Sequence, residues 1–78
     1  MQLTIKYFGM LAEATTITEE QFYTESCSVS ELLKKLRTQY PELGKKDFKV
    51  AINQQLVDHS YVINTEAEIA LLPPFAGG

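Results

Sequence analysis

The chain has 78 residues, of which 45% are hydrophobic and 22% are charged, values typical of one small globular domain and not of a disordered chain. A formal net charge of −3 argues against a nucleic-acid-binding surface. No apolar run approaches the roughly 20 residues of a membrane span, and a single cysteine excludes an internal disulfide and a metal site built on cysteine pairs. We therefore expect a single cytoplasmic domain over residues 1–78, with no nucleic-acid and no membrane partner.

The N-terminal third predicts two strands. Residues 2–8 alternate between apolar and polar, which indicates a strand with one buried face, formed by Leu3, Ile5 and Tyr7. Gly9 ends this strand, and residues 10–14 are expected to form a short helical turn. A cluster of β-favouring side chains predicts a second strand over residues 21–25 that pairs back with the first.

The main helix is predicted to begin after Ser28. Ser28 and Glu31 have the spacing of a capping box, in which each side chain bonds to the backbone N–H of the other residue. Apolar residues then recur at helical spacing and form one stripe, made of Val29, Leu32, Leu33, Leu36 and Tyr40. Pro41 ends the helix, because the residue before a proline avoids helical geometry. We expect the stripe to pack on the sheet.

The second half of the chain predicts three more strands. Alternation over residues 48–53 indicates one strand, and Asn53 favours a tight turn into Leu56 and Val57, since asparagine tolerates positive φ. The last strand is predicted over residues 68–72. We expect its Ile69 and Leu71 to face the core and its Ala70 and Leu72 to face the other way.

This order of elements predicts an α+β roll with a mixed sheet crossed by one main helix. The helix supplies the long crossover that a parallel pairing of the first and last strands requires. The arrangement is the ubiquitin-like β-grasp, here followed by an extended tail over residues 73–78 that ends in Gly77 and Gly78. We expect this tail to be flexible.

The tail is the segment that carries chemistry. Pro73 and Pro74 end sheet pairing and hold the chain extended, so that the segment to Gly78 reaches up to roughly 20 Å. Glycines without Cβ atoms suit entry into a narrow active site, although chain ends also fray and tolerate glycine for no functional reason. Adenylation would activate the Gly78 carboxylate, and sulfur could then replace oxygen to give a thiocarboxylate. The chain has no phosphate-binding loop and no base–nucleophile arrangement, so other proteins would catalyse both steps.

The segment from Ile69 to Gly78 resembles the C-terminal signature of the molybdopterin synthase small subunit, a sulfur carrier. Further matches are Tyr7-Phe8-Gly9, Val29-Ser30-Glu31-Leu32-Leu33 and Val50-Ala51-Ile52-Asn53, so that the resemblance spans nearly the whole chain. Departures from the family pattern fall at turns, where Gln54-Gln55 and residues 64–67 lack glycine.

The resemblance implies a carrier that is no enzyme on its own and binds no cofactor. Its C-terminal glycine is adenylated by an enzyme similar to ubiquitin-activating enzymes and is then sulfurated from a donor protein. The glycyl adenylate and the thiocarboxylate are its transient modifications. The tail then enters the large synthase subunit, within a heterotetramer, and sulfur is transferred to cyclic pyranopterin monophosphate.

Large apolar residues on the strand face away from the helix form a candidate docking surface, with Phe8, Leu56 and Leu72 as its members. Phe75 is expected to anchor the base of the tail, and Pro73, Pro74 and Ala76 complete the predicted partner-binding set. Alternatively, a bulge could turn Phe8, Leu56 and Leu72 into the core.

Other functions remain open from the residues alone. A carrier that supplies sulfur to thiamin or to tRNA, or a ubiquitin-like modifier joined to lysines, would share the fold and the Gly-Gly end. An interaction module without chemistry is a further alternative. Cys27 is expected to be a buried thiol and His59 a solvated side chain, and no metal site is predicted.

Overall fold

The computed structural model of the protein describes residues 1–74. Two α-helices, α1 (Met10–Thr15) and α2 (Val29–Gln39), and one 3₁₀ turn (Pro41–Lys45) accompany seven strands within that range. The strands are β1 (Gln2–Tyr7), β2 (Glu19–Tyr23), β3 (Cys27–Ser28), β4 (Lys49–Ile52), β5 (Gln55–Val57), β6 (Val62–Ile63) and β7 (Ala67–Leu72).

Five strands form one mixed sheet in the order β2-β1-β7-β4-β5. β7 runs parallel to β1, with Leu3 opposite Ala67 and Tyr7 opposite Leu71, while β2 pairs antiparallel with the other side of β1. β4 pairs antiparallel with β7 and with β5. The last strand therefore lies in the centre of the sheet, and the predicted parallel pairing of the first and last strands is confirmed.

The core lies between the sheet and α2. One face of the sheet contributes Leu3, Ile5, Ile69 and Leu71, none of which is exposed. The helix contributes its predicted stripe, of which Val29, Leu32 and Leu36 are likewise fully buried. The apolar stripe of the helix packs against the apolar face of the strands. Together they bury a continuous cluster of leucine, isoleucine and valine side chains.

Local signals in the sequence set the ends of α2 and the hairpin between β4 and β5. The Ser28 hydroxyl accepts a bond from the Glu31 amide at 3.1 Å, and the Glu31 carboxylate accepts from the Ser28 amide at 2.9 Å, which confirms the capping box. These bonds hold the pKa of the exposed Glu31 carboxyl below its usual value. Asn53 and Gln54 both have positive φ, at 49° and 71°, as a two-residue hairpin turn requires.

Three features differ from the prediction. β2 begins at Glu19 and ends at Tyr23, each two residues before the predicted bound, and its register with β1 pairs Glu19 with Lys6. The segment after Pro41 forms the 3₁₀ turn and buries Leu43, where only a helix end was predicted. A two-stranded ladder joins Cys27 and Ser28 to β6 and was not predicted. The flexibility predicted for residues 73–78 concerns a tail of which 75–78 lie outside the described residues.

Candidate functional site: the open face of the sheet and the base of the tail

The face of the sheet opposite α2 carries no covering element among residues 1–74. Its residues follow from the alternation of the strands: β1 contributes Gln2, Thr4 and Lys6, and β7 contributes Glu68, Ala70 and Leu72. Register then places them in rows, because Lys6 lies opposite Ala70, Ala70 opposite Ala51, and Ala51 opposite Leu56. We call this surface the open face.

One half of the open face is apolar. Ala70 and Ala51 lead across the sheet to Leu56; Ala51 is 5% exposed and Leu56 is 61% exposed. Leu72 is half-buried in the next row and lies opposite the exposed Lys49, which borders the apolar half. The Phe8 amide donates to the Leu71 carbonyl at 3.2 Å, which continues the β1–β7 ladder by one step and brings Phe8 beside Leu72. We call these residues the apolar patch, which comprises Phe8, Ala51, Leu56, Ala70 and Leu72.

The other half of the open face is polar. The Lys6 ammonium lies 3.6 Å from the Glu68 carboxylate, with both side chains about a third exposed. The Gln21 amide oxygen accepts bonds from the Thr4 hydroxyl, at 3.2 Å, and from the Gln2 amide nitrogen. An exposed ion pair of this kind adds little to the stability of the fold.

The predicted docking residues Phe8, Leu56 and Leu72 therefore lie on one face, where β7 and β4 separate Phe8 from Leu56. Phe8 is 43% exposed, and the alternative in which a bulge turns Phe8 and Leu56 into the core is wrong. Their role in binding a partner stays a prediction. The alternation of the sequence also contained Ala51 and Ala70, but their small side chains gave no reason to select them before the register was known.

The base of the tail lies at one end of this patch. β7 ends at Leu72, Pro73 is half-buried, and Pro74 is exposed. Gly9, at the start of α1, lies so close to Pro73 that a Cβ placed on Gly9 would be 2.9 Å from the Pro73 Cγ. The four remaining predicted residues, Phe75, Ala76, Gly77 and Gly78, lie outside the described residues.

A tyrosine–carboxylate cluster lies on the other face, at the edge formed by β2. The Glu20 carboxylate accepts hydrogen bonds from the Tyr7 hydroxyl at 2.6 Å and from the Tyr40 hydroxyl at 2.8 Å. Burial, followed by these contacts with Glu20, raises the pKa of Tyr7 well above its usual range and that of Tyr40 to about 12. The two rings meet edge to face, with centroids 5.9 Å apart. Both hydroxyls are donors to one carboxylate, so the cluster joins β1, β2 and the end of α2.

The cysteine and the histidine of the chain have the exposures predicted for them. Cys27 is 7% exposed, as expected for a buried thiol, and His59 is exposed. Residues 1–74 include no group of three histidine, cysteine or acidic side chains placed to hold a metal. None of the helices in this range is both long and apolar enough to cross a membrane.

Sequence comparison shows where this geometry belongs. The sequence profile of the ThiS family matches residues 5–78, which include the last strand and both terminal glycines. The chain belongs to the ThiS family. It therefore combines ThiS-family membership with a ubiquitin-like β-grasp fold.

Solved structures share the fold of this ThiS-family chain. A putative molybdopterin converting factor subunit 1 from Pyrococcus furiosus superposes with a TM-score of 0.87 at 16% identity, covering 96% of this chain and 99% of that one. SAMP1 from Haloferax volcanii gives a TM-score of 0.82 at 21% identity, with 100% of each chain covered. Both confirm the ubiquitin-like β-grasp.

A third solved structure contains a chain similar to this ThiS-family protein. It is the complex of subunits 1 and 2 of the molybdopterin-converting factor from Helicobacter pylori. The similar chain matches with a TM-score of 0.70 at 21% identity, and each chain is fully covered. At this identity the likeness shows the fold, and the complex shows that a chain of this fold occurs with a second subunit in that protein.

Proposed function

We propose that the chain is the small, sulfur-carrying subunit of a molybdopterin synthase and that its working group is the Gly78 carboxylate. The observation that carries this proposal is that the ThiS-family match continues to Gly78, beyond a strand, β7, whose last residue Leu72 belongs to the apolar patch. In this proposal the apolar patch gives a partner a surface to bind, while the residues after Pro74 enter that partner's active site.

In the proposed cycle an adenylating enzyme joins AMP from ATP to the Gly78 carboxylate and releases pyrophosphate. A persulfide on a donor protein then attacks the acyl carbon, AMP leaves, and reduction of the resulting acyl disulfide by a thiol frees the thiocarboxylate. The chain contributes the carboxylate and its presentation, and the partners contribute all catalytic groups. No cofactor is bound in this scheme.

The large synthase subunit is the partner that we assign to the apolar patch, with Pro73 and Pro74 beside it and Phe75, Ala76 and Gly77 continuing into that subunit's active site. The sulfur acceptor would be cyclic pyranopterin monophosphate, in a cytoplasmic heterotetramer of two carriers on a dimer of large subunits. The complex of subunits 1 and 2 that contains a similar chain supports a partner of this kind.

The test is the mass of the C-terminal fragment after incubation of the protein with ATP and cysteine in an extract of its source cells. Replacement of oxygen by sulfur is expected at Gly78, and alkylation of the fragment would trap the thiocarboxylate. Oxidation adds nearly the same mass, so a Cys27→Ser variant and fragment mapping remove confusion with the thiol and the methionines. A variant lacking Gly78 is the negative control.

A Gly78 that stays a plain carboxylate, while a known carrier added to the same extract is loaded, would overturn the sulfur-carrier proposal. Isolation of Gly78 in an isopeptide bond to lysine would instead establish a protein modifier. If sulfur is loaded, the large subunit that copurifies decides between molybdopterin synthesis and sulfur delivery to thiamin or tRNA.

A further inference from the structure

Gly9 has a backbone conformation that only glycine adopts without strain. Its φ is 58° and its ψ is −131°, a region in which a Cβ atom collides with the neighbouring backbone. Gly44, the other glycine of the described chain, lies outside the positive-φ region. The turn between β1 and α1 therefore depends on glycine for its shape.

The space around Gly9 is a second reason why this position needs glycine. A Cβ on Gly9 would be 2.9 Å from the Pro73 Cγ and 3.9 Å from its Cδ, whereas one on Gly44 would meet nothing within 4 Å. A carbon–carbon contact of 2.9 Å is well inside van der Waals distance. The bare Cα of Gly9 thus forms a flat seat for the ring of Pro73.

This seat is fixed on both sides by backbone hydrogen bonds. Before it, the Phe8 amide donates to the Leu71 carbonyl at 3.2 Å, which ties the turn to β7. After it, the Ala12 amide donates to the Gly9 carbonyl at 3.1 Å, which ties the turn to α1. Pro73 adds its own restriction, because its ring fixes φ near −65°. Pro73, whose φ is restricted, therefore packs against a turn that backbone hydrogen bonds hold in place, at the first position after β7.

We propose that Gly9 is a positioning residue that seats Pro73 and so sets the direction in which the chain leaves β7 toward Gly78. This inference rests on the proposed function, since a direction matters only if Gly78 must reach a partner's active site. Pro73 is the first residue of the tail, so its position sets where the tail begins beside the apolar patch, and misplacement of a reacting group by about 1 Å can cost about 100-fold in rate.

Three variants test the inference. Gly9→Ala adds the Cβ that collides with Pro73 and strains the backbone, and Pro73→Ala removes the seated ring while leaving Gly9 unchanged. Gly44→Ala adds the same methyl group where it meets nothing, and is the matched control. Circular dichroism fixes a temperature at which each variant is folded, and Pro73→Ala keeps the test valid if Gly9→Ala does not fold.

The assay is adenylation of the full-length chain by the adenylating enzyme of the same source, with kcat and KM determined for the carrier. Gly9→Ala and Pro73→Ala are both expected to lower kcat by about 10- to 100-fold. For Gly9→Ala, which changes none of the predicted partner-binding residues, KM is expected to change by less than about twofold. Gly44→Ala is expected to behave as the wild type. A purely structural role for Gly9 would lower the folded fraction without changing kcat per folded molecule.

Equal kcat in folded Gly9→Ala and Gly44→Ala would overturn the inference. So would a loss confined to Gly9→Ala with normal kcat in Pro73→Ala, because the effect would then not pass through the seated proline. If the wild-type chain is not adenylated, the proposed function is wrong. If the wild type is adenylated and all variants match it, only the role of Gly9 is wrong.

Discussion

The two faces of the central sheet are built from the same strands but have different fates. On the covered face Leu71 and Tyr7 are buried beneath α2, and one residue further along the chain Leu72 and Phe8 emerge on the open face. The covered face stabilises the fold, whereas the open face keeps apolar surface exposed at no gain in stability. Leu71 and Tyr7 thus serve stability, whereas we propose that Leu72 and Phe8 serve partner binding. Substitutions at adjacent positions can separate the two roles.

The strongest test of this separation compares Leu71→Ala with Leu72→Ala. Leu71 is fully buried between the sheet and the helix, so its truncation leaves a cavity and is expected to lower the free energy of unfolding by about 2–5 kcal/mol. Leu72→Ala is expected to cost about 1 kcal/mol or less, because its side chain is partly solvated. Urea denaturation followed by circular dichroism measures both. Equal losses would contradict the assignment of the two faces.

The second test moves from stability to binding. Phe8→Asp places a charge in the apolar patch and is expected to weaken binding of the large subunit by about 2 kcal/mol or more, roughly 30-fold in Kd. Calorimetric titration with the large subunit measures it, and Thr4→Asp in the polar half of the same face is the matched control. The free energy of unfolding should stay near that of the wild type. If Phe8→Asp instead unfolds the domain, Phe8 belongs to the core and the patch is wrongly assigned.

The tyrosine–carboxylate cluster on the covered face makes the stability of the fold depend on pH. Because folding raises the pKa of Tyr7 and Tyr40, that of Tyr40 to about 12, the folded state holds protons that the unfolded chain releases above about pH 10. The contribution is fully present below about pH 10 and is lost as the pH rises toward 12. The free energy of unfolding, measured by urea denaturation across this range, should therefore fall.

Tyr7→Phe is expected to reduce that alkaline loss of stability, because it removes a hydroxyl whose proton the folded state retains. Tyr23→Phe, at a tyrosine that is 72% exposed, is the control for loss of a hydroxyl. An unchanged pH dependence in Tyr7→Phe would show that the buried Tyr7 hydroxyl does not govern the loss of stability at high pH.

Prediction from sequence succeeded where local chemistry decides the structure. The capping box at Ser28, the stop at Pro41 and the alternation that separates Leu71 from Leu72 each depend on a few neighbouring residues, and all are confirmed. The β-grasp followed from the order of these elements and from the resemblance to a family of known fold.

What sequence reasoning missed depends on residues far apart in the chain. β2 begins at Glu19 because β1 offers Lys6 as its partner, although glutamate has no preference for strands. β3 and β6 contain two residues each, too few for a period to be read. Contact between Gly9 and Pro73 appears only when β7 lies beside β1. For the candidate site, the alternation placed Phe8, Leu56 and Leu72 on one face, and their role in binding stays a prediction, whereas the contact of Gly9 was not predicted.

The central position of β7 also has a consequence for synthesis on the ribosome. Without β7 the sheet consists of two separate pairs, β2 with β1 and β4 with β5, because each pair meets the other only through the last strand. Closing the pairing of β1 with β7 requires nearly the whole chain, so the slow, non-local step of folding comes last. During translation we therefore expect β1 and β4 to lack their common neighbour, and the separate strand pairs to be at best marginally stable, until β7 has left the ribosome. A carrier built in this way presents its tail only from a finished domain.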